Sequence, residues 1–291
     1  MNEKSDSKWL SLATVSILGQ PPRQREKGFT LIELIMVIVI VGILSAMTTS
    51  IITLPVDSYI DLERRTTLVD SAEMTLRRMQ RDIRRALPNS IRITGGTAIE
   101  FLHTTDGGRY RAKLASDGSG DILDFTGTEV VGTNKSFDVM GSLTSVPSGE
   151  LVIYNLGSSS ADAYAGNNRA TIFNTSTVDL VVLSSVTSFP FQSPQQRFFV
   201  VDTPISYSCT SGELRRYDNS SDPLYGISST APNLGSLIYE LQVKANTLSC
   251  LFSYDAGTAT RAGLITLEVT LTDVAGESAK LIHQVHVDNL P

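Results

Sequence analysis

Glu33 is the side chain whose chemistry most needs a reason. It lies in KGFTLIELIMVIVIVGIL, residues 27–44, and after it no charged residue occurs until Asp57. A charge at the centre of a bilayer costs roughly 2.5 kcal/mol or more, so a carboxylate at the edge of such a run calls for a cation or a helix end beside it. Other groups could in principle support catalysis or metal binding, but their spacing argues against it. The histidines are His103, His283 and His286. In KLIHQVHV, strand residues three apart point to opposite faces, so His283 packs beside Leu281 and Val285 while His286 faces out, and the two do not share a metal. SDGSGDILD offers Asp117, Ser119 and Asp121 as the opening of a calcium loop, with Ile122 in place of the glycine at position six and no acid at position twelve. A polar turn between strands is the simpler reading, and calcium is a weak candidate. GSSSA at residues 157–161 lacks the closing glycine of a Gly-x-Ser-x-Gly elbow, and no helical pattern follows it. The sequence therefore names no catalytic residue, metal site or cofactor, and the chain does not read as an enzyme.

The elements that place these residues are legible from composition and period. The chain is 41% hydrophobic and 19% charged, ordinary for a folded protein. Residues 1–87 hold 12 basic and 10 acidic side chains, and residues 88–291 hold 12 and 20. The acidic second part disfavours nucleic acid, which needs several Lys or Arg contacts to phosphate. Residues 34–56 are 23 uncharged positions, about 34 Å of helix against a hydrocarbon core of about 30 Å. The run Val37, Ile38, Val39, Ile40, Val41 would suggest a strand in water, but in lipid only a helix satisfies its own backbone. Arg23, Arg25 and Lys27 precede the segment, and Asp57, Asp61 and Glu63 follow it. The positive-inside rule then keeps the N-terminus cytoplasmic and exports the remainder. A cleaved secretory signal would want a shorter core and small residues at the −3 and −1 positions, a requirement that 42–44 and 44–46 each meet at most once. Export also decides the two cysteines, Cys209 and Cys250. In an oxidising compartment they close a loop worth roughly 4 kcal/mol, whereas in a reducing one they would be unrelated buried thiols.

The string KGFTLIELIMVIVIVGIL resembles the class III signal of type IV prepilins and type II secretion pseudopilins. The resemblance implies a leader of residues 1–28, removed between Gly28 and Phe29 by a prepilin peptidase, with N-methylation of Phe29. It makes Glu33 the fifth mature residue, where its carboxylate pairs with the new amine of its own or a neighbouring subunit during assembly. The implied partners are other pilins or pseudopilins, the peptidase, an inner-membrane assembly platform and membrane lipid. The implied location is a single-pass inner-membrane protein with a cytoplasmic N-terminus and periplasmic head, later at the pilus or cell surface. MQRDIRRALPNSIRI, CTSGELRRYDN and VHVDNLP are similar to minor pilins of mannose-sensitive haemagglutinin pilus biogenesis, and the large head suggests an initiating or tip position.

The expected fold is α+β, a long N-terminal helix packed on a C-terminal antiparallel β-sheet domain. Residues 29–56 span the membrane, with Gly42 and Pro55 as kink positions. Residues 57–88 continue as an amphipathic stem. Leu62, Val69, Leu76 and Ile83, with Arg65, Ala72, Met79 and Ala86 three later, form a stripe that ends near Pro88. That stripe suits a helix on its own sheet better than a coiled coil. From residue 89 the period becomes 2, with strands expected at 91–93, 99–103, 110–114, 151–155, 180–183 and 198–201 and in LIYELQVK, LSCLFSYD and AGLITLEVTLTD. Cys250 falls on the inward face of its strand, which fits a bridge to a loop at Cys209. GSSSADAYAGNN, residues 157–168, reads as a mobile surface loop. Tyr164, Tyr217 and Tyr225, as exposed loop tyrosines, would serve the alternative reading of a surface adhesin on the same stem.

Overall fold

The structure is a computed structural model and describes residues 28–123, 125, 136–185, 188–218, 227–228, 239–257 and 261–288. The leader before Gly28 and Tyr225 lie outside the described residues. The chain divides into two compact units, Met1–Asp57 and Ser58–Pro291. One helix, α1 (Leu31–Ile83, 53 residues), contributes to both, and positions 42 and 55 lie inside it.

In the first unit, Leu31–Thr48 is long and apolar enough to cross a membrane and buries none of its residues in the protein. Ile38 is 62% exposed and Ile40 55%. The β-branched run is helical here, as lipid-side hydrogen bonding requires.

In the second unit the same helix becomes amphipathic. Ala72, Leu76, Met79 and Ile83 are fully buried, with Leu68 packed beside them. The expected stripe holds at these positions and fails at Leu62, which is exposed. The stripe packs into the unit's own core, against Ile99, Phe101, Tyr207, Val269 and Leu271, the geometry of a helix laid on a sheet rather than a coiled coil. α1 ends at Ile83, four residues before Leu87. The backbone shows why: Leu87 N donates to Leu102 O at 2.8 Å and Thr104 N to Arg85 O at 2.8 Å, so strand pairing takes over from the helix ladder ahead of the proline.

The strands are antiparallel throughout. A seven-stranded sheet contains β1 (Arg92–Thr94), β2 (Ala98–Arg109), β4 (Glu150–Val152), β5 (Arg169–Thr171), β7 (Arg197–Thr210), β8 (Glu213–Asp218) and β9 (Tyr239–Lys244). Its order is β1-β2-β7-β4-β5, with β8 joined to the far half of β7 and β9 to β8. A second sheet orders β10 (Thr247–Asp255), β11 (Gly263–Thr272) and β12 (Ser278–Val287), and β3 (Ser136–Asp138) pairs with β6 (Leu180–Val182). Ile265, Leu267, Val269 and Leu271 alternate inward along β11. A second core gathers Tyr110, Phe137, Leu151 and Phe198.

Two sequence expectations are corrected. The strand expected at 110–114 reduces to one bridge, Tyr110 to Val139, because the segment folds over the β3 side instead of extending a sheet. Residues 157–168 are not a simple surface loop: Ala161, Ala163, Tyr164 and Asn168 are buried. Polar bonds hold them in place, with Asn155 Oδ1 accepting from Ala163 N at 2.9 Å and Asn155 Nδ2 donating to Pro88 O at 2.7 Å.

Candidate functional site

The residues at the expected cut come first. Phe29 is 83% exposed, and a side chain added at Gly28 would meet nothing within 4 Å. Thr30 stands immediately before α1, and Glu33 N donates to both Thr30 Oγ1 at 3.3 Å and Thr30 O at 3.1 Å. Thr30 is therefore the N-cap, and Glu33 occupies the third helical position. Thr-x-x-Glu is the capping-box sequence, in which the threonine oxygen satisfies an otherwise orphaned helix donor. The acid also sits in the first turn, where the helix dipole favours an anion. The Glu33 question thus has a local half-answer in the intact chain, and the signal that carries it is the Thr30–Glu33 spacing, which the reading of Glu33 alone passed over.

Glu33 heads an apolar helix, and the exposed Gly28 and Phe29 precede it. Residues 23–49 match the prokaryotic N-terminal methylation motif. That motif is typical of type IV pilins and pseudopilins. It covers Arg23, Arg25 and Lys27, Gly28 and Phe29, Glu33 and the whole apolar segment Leu31–Thr48. No curated protein and no solved structure matched the chain.

The polar groups of the head are arranged to hold it together. Tyr207 OH donates to Asp82 Oδ2 at 2.7 Å, Arg216 Nε donates to the same oxygen at 2.9 Å, and Arg216 Nη1 donates to Asp218 at 2.9 Å. This network ties the last turn of α1 to β7 and β8. Burial first, and then the Asp82 charge, raise the Tyr207 phenol above its ordinary range. Burial works against the Arg216 charge, but its bonds to Asp82 and Asp218 outweigh that and raise its pKa. A second network joins Arg92 to the fully buried Glu100, which also accepts from Ser206 Oγ at 3.1 Å. Arg92 lies 3.4 Å above the Tyr164 ring, and Tyr164 OH donates to Ser90 O at 2.9 Å. Burial raises the Tyr164 phenol well above its usual range, with the Glu100 charge adding to it.

Tyr164 is therefore a core residue and not an exposed contact residue. Tyr217 lies in β8, half-buried, rather than in a loop. Cys209 and Cys250 form a disulfide with Cα atoms 6.1 Å apart. Cys209 belongs to β7 and not to a loop, and Cys250 sits on the inward face of β10 with Phe252. The bridge joins the seven-stranded sheet to the three-stranded one. His283 is half-buried and His286 exposed on alternate faces of β12, while His103 lies 3.5 Å from Asp202. Asp117 accepts from Ser119 N at 3.0 Å and Ser119 Oγ at 2.6 Å, and these bonds hold its carboxyl below the usual range. Asp121 accepts from Ser136 Oγ at 2.8 Å. Asp117 and Ser119 are thus bonded to each other as a turn. Among the described residues no group of three or more His, Cys, Asp or Glu could hold a metal.

Proposed function

We propose that this chain is a pilin-like subunit that is trimmed, methylated and assembled into a helical filament. Residues 1–28 are the cytoplasmic leader, 29–56 the membrane-spanning helix, 57–88 the continuing stem and 89–291 the exported head. A prepilin peptidase cuts between Gly28 and Phe29, and Phe29 is N-methylated. The new amine then stands one turn before Glu33, in its own subunit or the next. Mutual neutralisation lowers the cost of holding both groups in hydrocarbon and lets the helix leave the bilayer to pack beside its neighbours. Gly42 and Pro55 give the helix places to bend during that transfer.

The observation that supports this reading is the methylation motif over residues 23–49 placed on an apolar helix that the protein itself leaves uncovered. The cap gives Glu33 a local role in any helix, and the coincidence of that acid with the methylation motif is what points beyond a plain anchor. The finer reading is a minor pilin of the MshO type, acting in assembly or initiation, at the tip of a mannose-sensitive haemagglutinin pilus. The large head supports it, since a tip subunit meets neighbours on one side only. A type II secretion pseudopilin is the alternative with the same chemistry. The adhesin reading is weaker, because Tyr164, one of its candidate contacts, lies in the core.

Mass determination of the mature protein tests the proposal. The expected species begins at Phe29 and carries one added methyl group. Recovery of a working protein with residues 1–28 attached overturns it.

A further inference from the structure

The head contains a cavity of about 690 Å³. Its walls come from the turn after α1, the ends of β2 and β12, the turn after β3 and the start of β7. Four arginines line it: Arg84, Arg85, Arg109 and Arg197. The only acid in the lining is Asp288, which has an interaction of its own.

These four guanidiniums differ from the arginines held in ion pairs elsewhere in the head. Arg92 pairs with Glu100, Arg111 with Asp138, Arg169 with Glu150, Arg215 with Glu213, Arg216 with Asp82 and Asp218, and Arg261 with Asp255. From residue 84 onward, the arginines whose side chains have no ion-pair or hydrogen-bond partner among the described residues are the four at this cavity, where Arg84, Arg85 and Arg109 are exposed and Arg197 is half-buried. The domain has acids in excess, 20 against 12 basic residues in 88–291, so a shortage of carboxylates does not explain the gap.

The strand register sharpens the point. Arg109 and Arg197 are directly opposite each other across β2 and β7. Like charges in facing positions of an antiparallel pair are destabilising. Arg84 and Arg85, just past the C-terminal end of α1, are at least favoured by the helix dipole. The facing pair has no such compensation. Gly107 and Gly108 form part of the same wall, and a side chain at Gly108 would press on the Phe198 ring at 3.1 Å. The glycines are thus kept small by the β7 side chains packed on them, and apolar Val139 and Met140 adjoin the arginines.

We propose that this cavity binds an acidic oligosaccharide bearing at least two sulfate or carboxylate groups. Planar guanidiniums recognise such groups with paired, charge-assisted hydrogen bonds. The cations come from three elements, the facing strands β2 and β7 and the end of α1, which suits a ligand with separated charges. The volume is in the range of small-ligand sites, about 300–1,000 Å³, and apolar Val139, Met140 and Phe199 beside the arginines suit sugar rings better than a compact inorganic ion.

The test uses the full processed chain in detergent micelles, titrated calorimetrically with a heparin-derived tetrasaccharide, its desulfated counterpart and a hexa-aspartate peptide. The sulfated tetrasaccharide binds at one site, more weakly as salt is raised, and Arg109→Gln with Arg197→Gln weakens it about tenfold or more. Arg111→Gln, at an arginine already paired outside the cavity, leaves the affinity unchanged. Arg109→Gln alone does not lower the thermal midpoint without ligand, because it removes a like-charge opposition. Failure of the sulfated probe to bind overturns the proposal, as does binding indifferent to Arg109 and Arg197. Tighter, arginine-dependent binding of hexa-aspartate overturns it in favour of a protein partner. A fall in midpoint on Arg109→Gln makes these arginines structural and overturns it as well.

Discussion

Replacing Glu33 separates two jobs that the same carboxylate could do. As the third residue of α1 it completes a Thr-x-x-Glu cap, with its own N–H already bonded to Thr30 Oγ1 at 3.3 Å. After cleavage it would also face the amine of Phe29. Glutamine retains the hydrogen-bonding shape that a capping box accepts and removes the charge, whereas Thr30→Ala removes the cap and keeps the charge. Loss of an N-cap costs about 1 kcal/mol, and loss of an anion's interaction with the helix end costs about 0.3–1 kcal/mol. An amine and carboxylate about 4 Å apart at an effective dielectric of 20 attract by about 4 kcal/mol before desolvation, enough to dominate both local terms. On the proposed reading, Glu33→Gln is therefore the more damaging change: cleavage after Gly28 proceeds, mature subunits accumulate in the membrane and filaments are lost. Thr30→Ala gives filaments with at most a modest reduction. Immunoblotting of cell and sheared fractions, with mass analysis of the processed subunit, reads both steps. Normal filament yield from Glu33→Gln would refute charge pairing, and loss of assembly in Thr30→Ala alone would make the cap the operative element.

Two further outcomes concern the head. Reducing the Cys209–Cys250 bridge, which closes a sequence separation of 41 residues, lowers stability by about 4 kcal/mol in the chain-entropy model; denaturant titration of the full chain with and without reductant measures it, and coincident curves would show that the bridge does not constrain the unfolded chain. Tyr207, whose pKa is raised by burial and by Asp82, stays protonated in the native state after the unfolded chain begins to ionise near pH 10. Its contribution is complete below that pH and is lost as pH rises towards the native value, at up to about 1.4 kcal/mol per pH unit. Tyr207→Phe gives up the bond to Asp82, about 1 kcal/mol at neutral pH, and makes the decline above pH 10 shallower; an unchanged slope would show that this phenol does not carry the alkaline response.

The contribution of the sequence can be followed residue by residue. The membrane-crossing segment needed no tertiary information, because hydrocarbon admits a helix whatever the β-branched residues prefer in water. The switch from period 3.6 to period 2 located the stem and the strands of the second sheet, where burial alternates as the side chains do. The methylation motif that spans Gly28, Phe29 and Glu33 was legible for the same reason, since it is local. The strands β3 and β5 were not, because SFD and RAT each hold a single apolar residue in a polar setting and owe their form to a partner strand elsewhere in the chain. Tyr164 shows the same failure at the level of one side chain: a Gly/Ser/Asn-rich setting reads as exposed, and the ring is buried by Arg92 and Ser90, more than 70 positions away.

What the sequence by itself determined was everything set by a residue and its neighbours within a few turns: an apolar helix with a capped, acidic start, an amphipathic continuation and alternating strands. What only the tertiary structure decided was which distant residues share a surface. Arg84, Arg85, Arg109 and Arg197 are unremarkable singly in an acidic chain, and no local pattern unites them. Strand order and the β2–β7 register bring Arg109 opposite Arg197, and the end of α1 supplies the other two, because long-range pairing is fixed by burial of the whole core rather than by any one segment.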